Sequence, residues 1–450
     1  MTGLGLLLLV ASSLCVLTLP PRWALVALVV GTVYLTKGAG AEIGGIMLHP
    51  HRMLMLMAVL RMLARGELAG LQLQFVDKLV LGSIGWLLFA NLFHEQEPGS
   101  GLVFTAGVGF EVLSSYFLVR AWCRGFEDVQ LLAGSLAIVF VPMALSMLAE
   151  TSLQTNPMGL LGGGEWVNIR EGIVRSRGTF THAILAGSIA AACFPLMLCI
   201  WKNNRVLSIV GMITTLSMVV TCHSSGPLVS LMVTGAIVLA WHLRYHTRRL
   251  IWLAIIGYII IDLISNRPGY HAIVTRLDLT GSSTAYYRCL MIDTAIEHFN
   301  EWWLIGTDRT SHWIQSGVGS IIGDGKHMDI TNMFIATGVN GGFLATLFVF
   351  GIVVFSVKNV IVMATDKDSV PSKLERFSIW CLGAAIGSLA VSGLSVAYFD
   401  QSGAFIWYIA AFISSSFEGY TRAVAVYSVR KDLELGGSED FRADRSYHSA

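Results

Sequence analysis

Residues 282–306 read SSTAYYRCLMIDTAIEHFNEWWLIG, and the reading of this stretch sets the frame for the rest of the chain. At 100° per residue, Met291, Ile292, Ala295, Ile296, Phe299, Trp302 and Trp303 share one face of a helix. Asp293, Glu297 and Glu301 follow one another at i, i+4 and i+8 on the opposite face. The pattern predicts an amphipathic helix held at a membrane surface. Arg288 sits in the middle of the apolar face, where a guanidinium needs a carboxylate or a phosphate to offset its desolvation. A structural ion pair and a bound anion both satisfy that demand.

Around this stretch the chain is strongly apolar. Of 450 residues, 54% are hydrophobic and 13% charged, with a mean hydropathy of +0.66; soluble domains carry roughly twice that charged fraction, about 25%. Apolar runs of about 17–25 residues recur between short charged joints, the pattern of spanning helices and not of barrel strands. The fold class expected is therefore an all-α polytopic membrane protein. A net charge of +1 excludes a basic field for nucleic acid. The N-terminal run MTGLGLLLLVASSLCVLTLPPR lacks a basic leader and a clear cleavage site, which predicts a retained first span. Cys15, Cys193, Cys199, Cys222 and Cys381 fall in or beside predicted spans, and Cys123 and Cys289 in joints or loops. They form neither a disulfide framework nor a metal spacing.

About twelve spans are expected, at 3–19, 23–37, 75–93, 101–121, 129–148, 183–200, 206–222, 225–243, 249–265, 331–357, 376–396 and 402–424. The stretch 43–67 would be a thirteenth, but Pro50, Arg52, Arg61 and Arg65 crowd its apolar centre and favour a helix lying in the interface. Residues 1–431 read as a single membrane domain and 432–450 as a polar, disordered cytoplasmic tail.

Basic residues in the joints set the orientation. Arg120, Arg124, Lys202, Arg205, Arg244, Arg248, Arg249, Lys358, Arg376, Arg422, Arg430 and Lys431 fall on one side, which is the cytoplasmic one by the positive-inside tendency. The two longest loops, about 149–182 and 266–330, then face outward together. Both carry arginines against the rule: Arg170, Arg175 and Arg177 in the first, Arg267, Arg276, Arg288 and Arg309 in the second. The second also holds His271, His298, His312 and His327. Arginines gathered on the disfavoured side suggest an anionic ligand.

Four motifs then follow in order: RGTFTH from Arg177 to His182, SSGPLVSL from Ser224 to Leu231, YYRCLMIDTAIEHFNEWWLIGT from Tyr286 to Thr307, and DITNMFIATGVNGGFLATL from Asp329 to Leu347. The set resembles the O-antigen ligase and polysaccharide polymerase superfamily, and within it the exopolysaccharide polymerase branch. The resemblance covers about 75–420 in topology and about 170–350 in motif.

That resemblance implies a GT-C-type glycosyltransferase in the plasma (inner) membrane, with its C-terminus cytoplasmic and its site on the extracytoplasmic face. It implies no metal and no cofactor. The donor would be a polyprenyl-pyrophosphate-linked glycan and the acceptor a glycan or a lipid, with membrane lipids and other polysaccharide assembly and export proteins as partners. Arg177 and Arg288 match the donor-binding arginines, and His182 and Arg309 join them as substrate-binding candidates. The histidine that precedes the Gly-rich span in many ligases is replaced here by Thr331, so His327 and Asp329 stand as the candidate bases. Glu111, inside a predicted span, is a further polar residue to place. A ligase and a flippase for the same lipid-linked glycan are the alternatives, together with a non-catalytic export subunit. No internal repeat of the kind transporters carry is visible.

Overall fold

A computed structural model of the chain describes residues 2–43, 46–94, 100–276, 284–313, 321–322, 327–366 and 372–446. About 78% is helical and almost none is sheet, as an all-α membrane protein requires. In chain order the helices are α1 Gly3–Thr18, α2 Pro21–Tyr34, α3 Pro50–Ala64, α4 Phe75–Asn91, α5 Ser100–Trp122 and α6 Phe126–Leu153. Then come α7 Ala183–Cys199, α8 Arg205–Thr221, α9 Ser225–Leu239, α10 Thr247–Ile264, α11 Gly269–Arg276, α12 Thr284–Glu297 and α13 Phe299–Trp302. The last three are α14 Met333–Thr365, α15 Lys373–Gly393 and α16 Ala404–Ser446. Every predicted span coincides with one of these helices. Among the described residues, five helical stretches are by length and composition sufficient to cross a membrane: Gly101–Trp122, Phe126–Leu153, Ser225–Ile264, Met333–Thr365 and Leu374–Gly393.

The centre of the bundle is α7, whose residues from Ala183 to Cys193 are all buried. Its run AILAGSIAAAC is made largely of small residues, which lets neighbouring helices approach closely. At Gly187 a β-carbon would stand 2.5 Å from Cys222 Sγ and 2.8 Å from Pro227, so α9 seats directly on this position.

Helix α3 departs from the expectation of an interfacial helix. Leu54, Met55 and Ala58 are fully buried against the bundle. The basic residues that crowd it in sequence are neutralised by partners remote in the chain. Arg52 pairs with Glu111 of α5 at 2.5 Å. Arg61 donates to the carbonyls of Val16 and Leu19 and pairs with Glu67 at 3.0 Å. One face of α3 is thus packed on the bundle, while Leu56, Leu60 and Leu63 on the other are exposed. The tail also differs: α16 continues as helix to Ser446, because a helix already nucleated by its packed part propagates at little cost per residue.

Between α9 and α10 the chain passes through a 3-10 segment, Ala240–His246, anchored where Trp241 packs on Phe377 and Trp380 of α15. No residue of α10 is buried. Helix α10 leads back toward the end of the bundle where α9 begins, because α12 lies there: Arg288 Nη2 is 3.8 Å from where a Gly226 side chain would start.

The predicted helix 282–306 is two helices, α12 and α13, separated at His298 (φ −95°, ψ 20°). Met291, Ala295 and Trp302 form its buried face, while Ile296 and Trp303 are exposed. The break redirects the chain onto α14, which is itself broken. Gly341 and Gly342 leave helical geometry, Gly342 at φ +79°. Added β-carbons would stand 2.2 Å from the Leu304 carbonyl at Gly342 and 2.3 Å from the Val339 carbonyl at Gly306. Backbone bonds cross this contact at 2.8 Å from Phe343 N–H to Trp303 and from Thr307 N–H to Val339. Carbonyls freed by the break accept from Trp86 (2.6 Å) and Asn91 (3.1 Å) of α4, as backbone in an apolar setting requires.

Candidate functional site

One end of the bundle encloses a cavity of about 1670 Å³. Its apolar wall is formed by α4 and α5 through Leu87, Phe104, Val108 and Val112, and its opposite wall carries Arg170, Arg175, His182, His223 and Arg288. The N-termini of α7, α9 and α14 open onto it through His182, Ser225 and Met333. The helix dipole makes each of these ends attractive to anions.

The arginine wall begins in a β-hairpin. Strands β1 Ala41–Ile43 and β2 Ile46–Leu48 form one hairpin early in the chain, and β3 Asn168–Arg170 and β4 Ile173–Arg175 form this one. Its register pairs Asn168 with Arg175 and Arg170 with Ile173. The turn is Glu171-Gly172, both in the left-handed region, as two-residue hairpin turns demand. With a side-chain period of two, Asn168, Arg170, Ile173 and Arg175 share one face. Arg170, Ile173 and Arg175 of that face line the cavity.

Arg175 is 9% exposed, and among the described residues no carboxylate pairs with it. Its Nε donates to the Cys222 carbonyl at 3.4 Å. Burial, followed by the neighbouring Arg170, pushes its pKa down. An anion entering the cavity relieves both effects.

Arg177, two residues on, stands elsewhere. Its guanidinium donates to the carbonyls of Gly163, Gly164, Trp166 and Phe180 at 2.8–3.3 Å and stacks 3.8 Å from the Trp166 ring. Its own N–H and that of Gly178 donate to Glu150 at 3.1 and 3.0 Å. It does not line the cavity; it organises the loop behind the hairpin.

His182 does line the cavity. Nδ1 accepts from the Ile184 N–H at 3.2 Å, capping α7, and the Asn168 amide meets Nε2 at 3.0 Å. Burial, then Arg175 and Arg177, lower its pKa to about 4, so the ring is neutral at pH 7.

Arg288 and Asp329 are brought together. The neighbouring Tyr287 donates its hydroxyl to the Asp329 carbonyl at 2.6 Å, which ties α12 to the segment before α14, and both Arg288 and Asp329 line the cavity. Among the described residues the Asp329 carboxylate accepts no hydrogen bond, and burial raises its pKa. The cap of α14 is Asn332, not Asp329: its Oδ1 accepts from Phe334 and Ile335. Asp329 is thereby left to face the cavity.

Strands β5 Ile321–Ile322 and β6 His327–Met328 precede it, and the His327 side chain lies outside the described residues. Arg309 is exposed, donates to Ser311 at 3.4 Å and stands away from the cavity. Glu111 reaches the cavity from α5 with its partner Arg52. Asp400 also lines it but is occupied, accepting from the N–H groups of Thr181 and Ser402, both at 2.8 Å.

Comparisons with protein families, curated proteins and solved structures return no match. The functional reading therefore rests on the site itself.

Sequence reasoning grouped Arg175 with the loop arginines and singled out Arg177 from the motif. The signal was available in the octapeptide NIREGIVR, 168–175, whose Glu-Gly centre marks a two-residue hairpin and whose alternation puts Arg170 and Arg175 on one face. Arg177 follows the hairpin and escapes that alternation.

Proposed function

We propose that the chain is a membrane glycosyltransferase that polymerises polyprenyl-pyrophosphate-linked oligosaccharide repeat units on the outer face of the membrane. The observation that carries this reading is Arg175: a nearly buried guanidinium that no carboxylate pairs among the described residues, lining together with Arg288 a cavity whose α4 and α5 side is largely apolar. A pyrophosphate joined to a polyprenyl chain presents the matching pair, a compact dianionic group and an apolar tail. The donor arginines proposed are thus Arg175 and Arg288, with Arg177 holding their loop.

In the transfer, the bond between the sugar's anomeric carbon and the phosphate oxygen breaks. The leaving polyprenyl pyrophosphate takes the electron pair, and negative charge grows beside the two guanidinium groups and the N-termini of α7 and α9. An acceptor hydroxyl forms the new glycosidic bond and gives its proton to Asp329, whose raised pKa makes it a better proton acceptor. Neutral His182, held by Asn168 and the first turn of α7, stands on the cavity wall and adds no charge. A GT-C-type fold, an inner-membrane location and a cytoplasmic C-terminus belong to the same proposal, supported by the two arginine-bearing loops meeting at one end of the bundle.

The broken α14 favours a second reading, a transporter of the same lipid-linked glycan, since interrupted helices mark transporter sites. Against it, the break is filled by the Leu304–Thr307 backbone and is not left open to a ligand.

The test is a reconstitution of the purified chain with a polyprenyl-pyrophosphate-linked repeat unit. A ladder of longer glycans that is lost in Arg175→Ala, Arg288→Ala and Asp329→Asn supports the polymerase. One product that needs an added lipid acceptor indicates a ligase, and movement of donor between leaflets without transfer indicates a transporter.

A further inference from the structure

Away from the cavity, the break between α12 and α13 gathers three donor side chains. His298 and Glu301 stand one helical turn apart, and His312 comes from the 3-10 turn Ser311–Trp313. One ligand atom from each lies within 4.8 Å of the other two. The second layer of contacts selects these atoms. His298 Nδ1 is 3.0 Å from the Thr294 carbonyl, which can only accept, so Nδ1 carries the proton and Nε2 presents its lone pair. Trp313 Nε1–H donates to Glu301 Oε2 at 2.9 Å, and the Trp313 ring stacks on His298 at 5.2 Å between centroids. His312 Nε2 meets the same Glu301 oxygen at 2.9 Å. A histidine oriented by a backbone carbonyl and a carboxylate oriented by a donor are the arrangements that hold metal ligands in place.

We propose that His298, Glu301 and His312 bind a divalent transition-metal ion of the zinc class. Two imidazole nitrogens and one carboxylate oxygen are a zinc donor set, and tetrahedral bonds of about 2.0–2.1 Å need ligand atoms about 3.3 Å apart. To bind the ion, His312 carries its proton on Nδ1 and presents the Nε2 lone pair, and its 2.9 Å hydrogen bond to Glu301 opens to that spacing. Glu301 and His312 are exposed, which leaves the fourth position to water.

None of the three lines the cavity, so the ion is a cross-tie and takes no part in the chemistry there. Trp313 belongs to the small core of Met291, Ala295, Trp302, Met328 and Val339. The Met328 N–H donates to Thr310 at 2.8 Å. Fixing the turn at 311–313 therefore fixes Met328 and, next to it, Asp329 against the helix that carries Arg288. Binding itself is independent of the transfer reading.

The experiment uses the full chain in nanodiscs, stripped with chelator and titrated with Zn²⁺ against a competing indicator, with Mg²⁺ and Ca²⁺ as controls. We expect one Zn²⁺ per chain and no competition from the oxygen-preferring ions. His298→Ala, Glu301→Gln and His312→Ala should each weaken binding tenfold or more, and Trp313→Phe less. Zn²⁺ should raise the melting temperature of the wild type and not of His298→Ala. Metal-free melting identifies any variant that fails to fold, and Glu301→Gln keeps the size of the side chain and an oxygen for Trp313. Arg288→Ala should bind Zn²⁺ normally, which separates this site from the cavity. Absence of stoichiometric binding, equal binding of Mg²⁺ or Ca²⁺, or unchanged affinity in all three variants would overturn the proposal.

Discussion

Two buried arginines at opposite ends of the bundle separate structure from function. Arg120, on α5 beyond the part of that helix that lines the cavity, is surrounded by acceptors. Asp77 meets it at 2.9 and 3.0 Å, Glu418 at 2.9 Å, Ser415 at 3.2 Å and the Gln72 carbonyl at 3.1 Å. Tyr116 closes the network by donating to Asp77 at 2.6 Å. Arg175, also withdrawn from solvent, has among the described residues a 3.4 Å contact to a carbonyl as its one hydrogen bond and opens onto a cavity. Arg177 joins the first class through four backbone carbonyls. Burial alone does not reveal a binding arginine; the difference lies in whether the protein has already supplied its acceptors.

The largest test of this contrast is Arg120→Ala. It leaves Asp77 buried without a cation, and a broken buried pair costs about 3–5 kcal/mol. We expect a marked loss of stability in denaturant or thermal unfolding of the detergent-solubilised chain. Next, Arg177→Ala strands several buried carbonyls and should cost about 2–4 kcal/mol. Lysine should not restore it, because an ammonium lacks the planar fork that reaches four carbonyls at once. By contrast, Arg175→Ala removes a desolvated charge with no ionic partner and should leave unfolding unchanged or slightly improved. Its effect belongs to transfer, where losing a charge-stabilising group costs about 10²-fold or more. If Arg175→Ala instead unfolds the chain and Arg177→Ala folds but loses transfer, the assignment of the two is reversed.

A smaller effect is expected at the break in α14. Gly342→Ala would force an L-residue to φ +79° and a β-carbon to within 2.2 Å of the Leu304 carbonyl. Such strain costs about 1–3 kcal/mol, and here it should appear as undocking of 303–307. Faster hydrogen exchange at Thr307 and Phe343, whose N–H groups cross that contact, measures it.

Much of the fold was legible because apolar run length is a local property. The spans at 183–200 and 206–222 match α7 and α8 to within a residue. What stayed hidden depended on distant partners. Arg52 and Arg61 argue against burial of α3 until Glu111 and the end of α1 are known to receive them. The periodicity of 282–306 could not show the break at His298, because helix breaking there comes from docking on α14 and not from a proline or glycine in the run. At the site, Arg288 was recognisable as a guanidinium placed on the apolar face of its helix. The choice between Arg175 and Arg177 required the hairpin register, and the role of Asp329 required knowing that Asn332 already caps α14.

The subtlest prediction concerns two titrating groups on the cavity wall with opposite dependences on pH. The folded pKa of His182, about 4, lies below its ordinary 6.5, because burial and then Arg175 and Arg177 disfavour the charged ring. Between these values the unfolded chain binds the extra proton, so this contribution is complete above about pH 6.5 and is lost as pH falls toward 4. The slope cannot exceed about 1.4 kcal/mol per pH unit. His182→Asn, which retains a side chain able to cap α7, should flatten that segment of the stability profile. Asp329 behaves inversely. Burial raises its folded pKa above the ordinary 3.8, so the folded chain holds the proton longer and stability falls as pH rises through that interval. Asp329→Asn should therefore be slightly more stable than the wild type at neutral pH while failing in transfer. A carboxylate kept at a cost to folding is what a site built for a ligand requires; a purely structural Asp329 would lose stability on the same substitution.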